Sequence, residues 1–343
     1  MRPSKSPHPC RGGGRRCLAR SAHTPGLKAQ HFAMSAPPLW RRTVSEILIL
    51  GSGTSEGVPR VSCLTASPPS CQTCLAAAQP DSKSRRRNTS IVVRKSVPGN
   101  PDERPRNVLF DCGKFFYEAA MTWFPKHSIR ELDAVVLTHP HADHVLGMDD
   151  LRDFTLNVSD NPKPLPVFLD APTMARVKQI FPYMVDREKA QSAVPNCAFI
   201  GIAQGAELAA PFEVAQGVLR ITPLRVQHGR HMTALGFRFG DVSHIPDVSS
   251  VPDETLELMG GTRLLIVDAL NPMGSNPTHF CLDDAVQLAE RIRPERVVLV
   301  DATHRWPAHE DANDMLRERF SALDWTFELA HDGQRIDCAI YSI

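Results

Sequence analysis

The sequence predicts an α/β architecture in which two β-sheets pack face to face and helices cover their outer surfaces, a four-layer αββα sandwich. Three observations lead there. From Ser45 onward, short apolar runs are punctuated by Gly, Pro and Asp. Strand-sized runs outnumber helical ones in both halves, and helical stretches follow several of the strands. No repeat at a fixed period interrupts the pattern.

Taken in order, residues 47–50 read as the first buried strand, which ends in Gly51-Ser52-Gly53-Thr54. Those glycines do not form a nucleotide loop, because the Gly-x-Gly-x-x-Gly spacing fails and no Lys-Ser/Thr follows. They let a strand turn tightly. Residues 89–94 and 108–110 are the next strands, the second ending at Asp111-Cys112-Gly113, and 114–124 has helical spacing with an aromatic face. The strand 134–137 delivers the chain directly into a histidine cluster. Further strands are read at 167–169, 219–226, 235–239, 264–267 and 297–300, and helices at 174–184, 282–292 and 311–320.

The chain has 343 residues, 42% of them hydrophobic, enough for a substantial core. A formal net charge of +1, from 39 basic and 38 acidic side chains, gives no global field that would hold nucleic acid or an anionic membrane. An anionic substrate must then be captured locally. No stretch approaches the ~20 apolar residues that span a bilayer, so no membrane association is expected. Nine cysteines, three of them grouped at Cys63, Cys71 and Cys74, suit an intracellular metal site better than a disulfide framework. The expected location is cytoplasmic. Residues before Glu46 carry nine Lys or Arg and no acid, and they cannot build a packed core. Residues 1–44 are therefore expected to be a disordered or targeting extension. A mitochondrial or other organelle address, a plain unstructured tail and sequence upstream of a start at Met34 all stay open. The hydrolase domain is expected over 45–343.

The chemistry concentrates in His139-Pro140-His141-Ala142-Asp143-His144, three imidazoles and a carboxylate within six residues after an apolar strand. Imidazole nitrogen and carboxylate oxygen suit Zn²⁺ and, with less discrimination, Mn²⁺ or Fe²⁺. The run resembles the His-x-His-x-Asp-His signature of the metallo-β-lactamase superfamily, and further pieces of that pattern follow in order: Asp111 in Asp-Cys-Gly, His228 after strand 219–226, Asp247 in Ile-Pro-Asp-Val-Ser, and His304 after strand 297–300. The resemblance implies one metal held by His139, His141 and His228, a second held by Asp143, His144 and His304, and Asp247 bridging both. Asp111 would orient a ligand by hydrogen bonding. The family fold is the four-layer αββα sandwich.

A second resemblance, to the bacterial cyclic phosphodiesterases of phosphonate breakdown and their eukaryotic relatives, rests on residues 51–59, Cys63, Cys71, Cys74 and Arg85-Arg86-Arg87-Asn88-Thr89-Ser90. It implies a structural zinc held by Cys63, Cys71, Cys74 and His309, with His331 as the substitute for His309. Two departures are visible. The first two cysteines are separated by a longer insertion, and His309 lies farther from His304 than in the bacterial enzyme. The basic triplet reads as a solvated loop. His279, in Asn276-Pro277-Thr278-His279-Phe280 before a helix, is expected near the mouth of the site, where relatives carry a histidine that assists the leaving group. His127, His231 and His244 carry no assignment.

The expected function is a binuclear metal-dependent hydrolase, a phosphodiesterase acting on small cyclic phosphodiesters by metal-activated hydroxide, with Asp143, Asp247 and His279 as catalytic residues. Two divalent ions, Zn or Mn, and one structural Zn would be the cofactors. A small phosphodiester is the expected partner, RNA stays open as a substrate, and a homodimer is allowed. A tRNA 3′ processing endonuclease-like enzyme and a thioester or lactone hydrolase are the rival activities, and a non-enzymatic metal-binding scaffold is the rival class.

Overall fold

A computed structural model describes residues 45–100, 102–156, 163–202 and 210–338, so the expected extension at 1–44 lies outside the described residues. One sheet contains β1 (Ser45–Gly51), β2 (Ser90–Lys95), β3 (Arg106–Phe110), β4 (Ala134–Val136), β5 (Leu165–Leu169), β6 (Cys197–Gly201) and, at its far edge, β14 (Arg335–Asp337), in the order β14-β1-β2-β3-β4-β5-β6. The other contains β7 (Phe212–Val214), β8 (Leu219–Gln227), β9 (Thr233–Phe239), β10 (Val242–Ile245), β11 (Leu264–Asp268), β12 (Arg296–Val300) and β13 (Thr326–Leu329), in the order β13-β12-β11-β10-β9-β8-β7. Each sheet divides into an antiparallel half and a parallel half, the parallel strands being β3 to β6 in the first and β10 to β13 in the second.

The layering follows from side-chain alternation along each strand. Ile47 and Ile49 of β1 point into a core between the sheets, with Phe110, Phe237, Phe239, Ile266 and Val298. Leu48 and Leu50 point the other way, under α3 (Phe116–His127) and the 3₁₀ segment Leu146–Phe154. In the second sheet Ile266 faces inward while Leu265 and Val267 face outward, beneath α8 (Leu282–Ile292) and α9 (His309–Arg319). Strands buried on both faces read as continuous apolar runs, which is why β1, β11 and β12 stand out in the sequence. The predicted four-layer sandwich is the observed fold.

The expected helix 174–184 is broken in two, Ala171–Ile180 and Pro182–Val185. Pro182 lacks an N–H and disfavours helical backbone at the residue before it; Phe181 accordingly leaves the helix at φ −122°, ψ 58°. The short strands β6, β7, β10, β13 and β14 escape sequence reading because three to five residues give too little alternation to detect. Among the described residues no helix is long and apolar enough to cross a membrane.

The functional consequence of this topology is where the strands end. The parallel strands β3, β4, β10, β11 and β12 are followed or closed by Asp111, Thr138-His139, Asp247, Asp268 and Asp301, and carboxyl ends of parallel strands are where α/β sheets place their sites.

Candidate functional site

Asp111 comes first, because it organises the rest. It leaves β3 with left-handed backbone (φ 60°) and is fully buried. Its Oδ1 accepts the Thr138 N–H at 2.8 Å, its Oδ2 accepts Nδ1–H of His144 at 2.8 Å, and the Thr138 hydroxyl lies 2.9–3.0 Å from both oxygens. The same hydroxyl lies 2.9 Å from Nδ1 of His139. One chain of bonds results: His139 Nδ1–H donates to Thr138, whose hydroxyl donates to Asp111. Both rings thereby have Nδ1 engaged and turn Nε2 toward the site, the orientation a metal ligand needs. Gly113 lets the neighbouring loop close, since a Cβ there would stand 1.8 Å from the Asp143 carbonyl oxygen.

His228, just past β8, follows the same logic from the opposite sheet. Its Nδ1–H donates to the Thr278 carbonyl at 2.7 Å, and its Nε2 faces Nδ1 of His141 at 3.2 Å and Asp247 Oδ2 at 3.5 Å. His139 Nε2 lies 3.7 Å from the same Asp247 oxygen. His139, His141, His228 and Asp247 thus form a tight group whose donor atoms all lie within 4.8 Å of one another. Of these, His141 is exposed and opens the site to solvent. On the adjacent side His144 Nε2 lies 3.2 Å from Asp247 Oδ1 and 3.6 Å from Asp143 Oδ2.

The electrostatics ask for cations. Burial lowers the His139 imidazole well below its usual range, with His144 adding to the effect. His144, against the burial that would lower it, is held well above its range by Asp247 and Asp111. His139 Nε2, His144 Nε2 and Asp247 Oδ1 are buried and accept or donate no hydrogen bond. Such atoms carry a large cost unless something pairs with them. The donor set of imidazole nitrogen and carboxylate oxygen fits divalent metal ions.

The structure corrects two expected ligands. His304 does not stand with Asp143 and His144; its Nδ1 faces the sulfurs of Cys63 and Cys71, each at 3.4 Å, and Cys74 completes a group within 4.8 Å. His309 therefore is not the fourth member of the cysteine cluster, and neither is His331. His309 begins α9, its ring edge-on to His331 at 5.0 Å, with its backbone N–H on Ser84 Oγ at 2.9 Å. The reason lies in the strand end. Beyond β12, Ala302 bridges to Gly53 and its N–H donates to the Ser52 carbonyl, so the chain runs alongside the loop leading to the cysteines. His304 arrives there, and Asp301, three residues earlier, is left at the His/Asp centre. A Cys₃His group is a closed arrangement for zinc. Burial pushes the Cys74 thiol up to about 12, an obstacle a bound cation would reverse.

The basic triplet is also corrected. Arg86 is buried, donating to the carbonyls of Thr303 at 2.7 Å and Pro307 at 3.2 Å, and Arg87 pairs with buried Asp332 at 3.2 Å. They fasten the strand-end loops rather than face solvent.

His279, just before α8, lies beside Asp247 and brings two carboxylates that sequence reasoning missed. Its Nδ1 lies 2.9 Å from Asp268 Oδ2, 3.1 Å from Asp301 Oδ2 and 4.0 Å from Asp247 Oδ2. Against the lowering effect of burial, Asp268 and Asp301 hold the imidazole up to about 12. Asp268 and Asp301 are the last residue of β11 and the first after β12; a lone acid closing an apolar parallel strand was the signal available. His244, unassigned from sequence, is wholly buried in β10, edge-on to Phe110.

Fold and site together give an αββα sandwich carrying a His/Asp cluster whose donor atoms suit divalent metal ions. Residues 106–301, more than half of the chain, match the family model described as Beta-lactamase superfamily domain, and this chain belongs to that family. Among solved structures it is similar to a diphosphatase from the PhnP family, with a TM-score of 0.67 at 28% identity, covering 86% of this chain and 97% of that one. It is also similar in fold to zinc-bound PqqB from Methylobacterium extorquens (TM-score 0.61, 20% identity, 85% of this chain and 100% of that one) and to the short form of human tRNase Z (0.55, 17%, 87% and 100%). A curated relative, an octanoyltransferase of Porphyromonas gingivalis, is 28% identical over 269 residues. That match covers 78% of this chain and 48% of the relative, so the chain spans about half of the relative's length.

Proposed function

We propose that this chain is a metal-dependent phosphohydrolase cleaving a P–O bond in a small phosphodiester, with cyclic diesters as the favoured class. The observation that carries the reading is the convergence on Asp247 of the donor group His139, His141 and His228, of His144 at 3.2 Å and of His279 at 4.0 Å. Likeness to a diphosphatase supports phosphorus as the centre attacked, and makes the P–O–P bond of a diphosphate the second substrate to examine.

Divalent cations held by His139, His141 and His228 on one side and by Asp143 and His144 on the other, with Asp247 between, would supply Lewis acidity that activates water and offsets charge on the phosphoryl oxygens. The protein's own part is orientation and proton supply. Asp111 and Thr138 fix the ring tautomers, and the Thr278 carbonyl fixes His228. Water oxygen bonds to phosphorus as the bond to the leaving oxygen breaks. His279 has Nδ1 engaged by carboxylates, so Nε2–H is the proton it can give to that oxygen. Exposed Arg230, two residues after His228, adds positive charge for an anionic substrate.

The test is hydrolysis by metal-loaded protein of an aryl phosphodiester, 2′,3′-cyclic nucleotides, a ribose 1,2-cyclic phosphate, a nucleoside diphosphate ester, a precursor tRNA and a thioester. Cleavage of the small phosphoric esters, lost in Asp143→Ala, supports the proposal. Turnover of only the tRNA or only the thioester overturns its substrate class.

A further inference from the structure

With His304 committed to the cysteines, the side of the centre bearing Asp143 and His144 lacks the histidine expected of it. Asp301 stands beside His279, close enough to Asp247 for the two carboxylates to repel. It leaves β12 with left-handed backbone (φ 58°) and is almost wholly buried. Its Oδ2 lies 3.1 Å from His279 Nδ1 yet makes no hydrogen bond, because a ring nitrogen carries one proton and that proton goes to Asp268 Oδ2 at 2.9 Å. Asp247 Oδ1 and His144 Nε2 are in the same condition, 3.2 Å apart and without hydrogen bonds. Asp301 and Asp247 are linked through His279, whose Nδ1 is within 4.0 Å of a carboxylate oxygen of each. Buried carboxylate oxygens of Asp301 and Asp247 that no hydrogen bond satisfies call for a cation.

We propose that Asp301, in place of a histidine, completes the second metal position together with Asp143, His144 and Asp247. This deepens the metallohydrolase reading of the same centre and rests on it. The two positions then differ in chemistry. The first offers three imidazoles and a shared carboxylate. The second offers one imidazole and three carboxylates, a set that favours Mn²⁺ or Fe²⁺ over Zn²⁺ relative to its neighbour, because carboxylate oxygen is the harder donor. Asp268 is then a positioning residue: it accepts the His279 Nδ1–H hydrogen bond and leaves Asp301 Oδ2 free to bind.

The experiment is equilibrium dialysis of the full chain against mixed Mn²⁺ and Zn²⁺, with bound metal counted by mass spectrometry for wild type, Asp301→Asn, Asp301→His and Cys63→Ser. The wild type should hold three ions, one of them Mn²⁺. Cys63→Ser should lose a zinc, and Asp301→Asn should lose the manganese. Asp301→His should keep three ions while its Mn:Zn ratio falls roughly 10-fold or more, the scale on which ligand changes alter metal affinity. Unchanged stoichiometry and ratio in Asp301→Asn would overturn the assignment. Should that variant fail to fold by circular dichroism, Asp301→His decides alone, an unchanged ratio overturning it. Absence of phosphoester hydrolysis beside these metal counts would remove the substrate reading and leave the assignment of Asp301 standing.

Discussion

The two donor clusters, one of histidines and aspartates and one of cysteines with His304, lie along neighbouring strand ends but are held in different ways. In the first, ring nitrogens are tied back to protein acceptors: His139 to Thr138, His144 to Asp111, His228 to the Thr278 carbonyl. Its geometry is set by two sheets before any ion binds. In the second, Cys63 and Cys74 sit on short helical turns, Val61–Leu64 and Gln72–Ala77, Cys71 immediately precedes the latter, and the Arg60 N–H reaches the Cys74 sulfur at 3.4 Å. A small apolar cluster of Val58, Cys74 and Ala77 packs beneath them. A preorganised site can spend an ion on chemistry, whereas a loosely built one depends on its ion for shape.

Cys74→Ser should break the comparison most strongly. If the cluster holds zinc, its loss should cost ~3 kcal/mol or more of stability, since ion binding at such a cluster is coupled to ordering of its loops. Chemical unfolding with zinc counting would show it, while hydrolysis measured well below the lowered melting temperature should persist. Arg86→Met should follow at roughly 2–4 kcal/mol, because it leaves the Thr303 and Pro307 carbonyls without their buried donor. Denaturant unfolding measures it. Loss concentrated in zinc retention rather than in activity would sharpen the contrast, as both carbonyls flank His304. Asp111→Asn should lower metal affinity at the His/Asp centre by about 10- to 100-fold, by competition with a chromophoric chelator, and leave the cysteine cluster loaded.

The smallest effect concerns His309, which the fold keeps out of both clusters. Burial, with His331 beside it, lowers its imidazole to about 4. The unfolded chain then binds a proton near pH 6.5 that the folded chain refuses until about pH 4, so this contribution is full above pH ~6.5 and is lost as pH falls between those values. His309→Asn should flatten that part of the stability–pH curve.

How much of this was legible in the sequence depends on distance along the chain. His139, His141, Asp143 and His144 could be read together because one loop after one strand carries them all. Asp111, His228 and Asp247 were found because strand ends are recognisable when the strands are buried on both faces. His304 and His309 are hard to tell apart in the sequence because both follow β12. Which of them reaches the cysteines is decided by the pairing of Ala302 with Gly53, a contact across some 250 residues that no local pattern reports. Asp268 and Asp301 went unnoticed because an acid after a strand is common, and only His279 folding back onto them gives them a role. Arg86 was read as solvated because charge runs usually are, and its burial rests on carbonyls more than 200 residues away.

The measurement that tests the account most directly is turnover of an aryl phosphodiester by Asp143→Ala and by His304→Ala, each beside its melting temperature. Asp143→Ala should lose roughly 10³-fold or more in rate with little change in melting, as expected when an ion that activates water is no longer held. His304→Ala should melt lower and, while folded, keep a rate within about 10-fold of the wild type, as a residue remote from the reacting atoms allows. A folded His304→Ala protein as inactive as Asp143→Ala would contradict the account and return His304 to the catalytic centre.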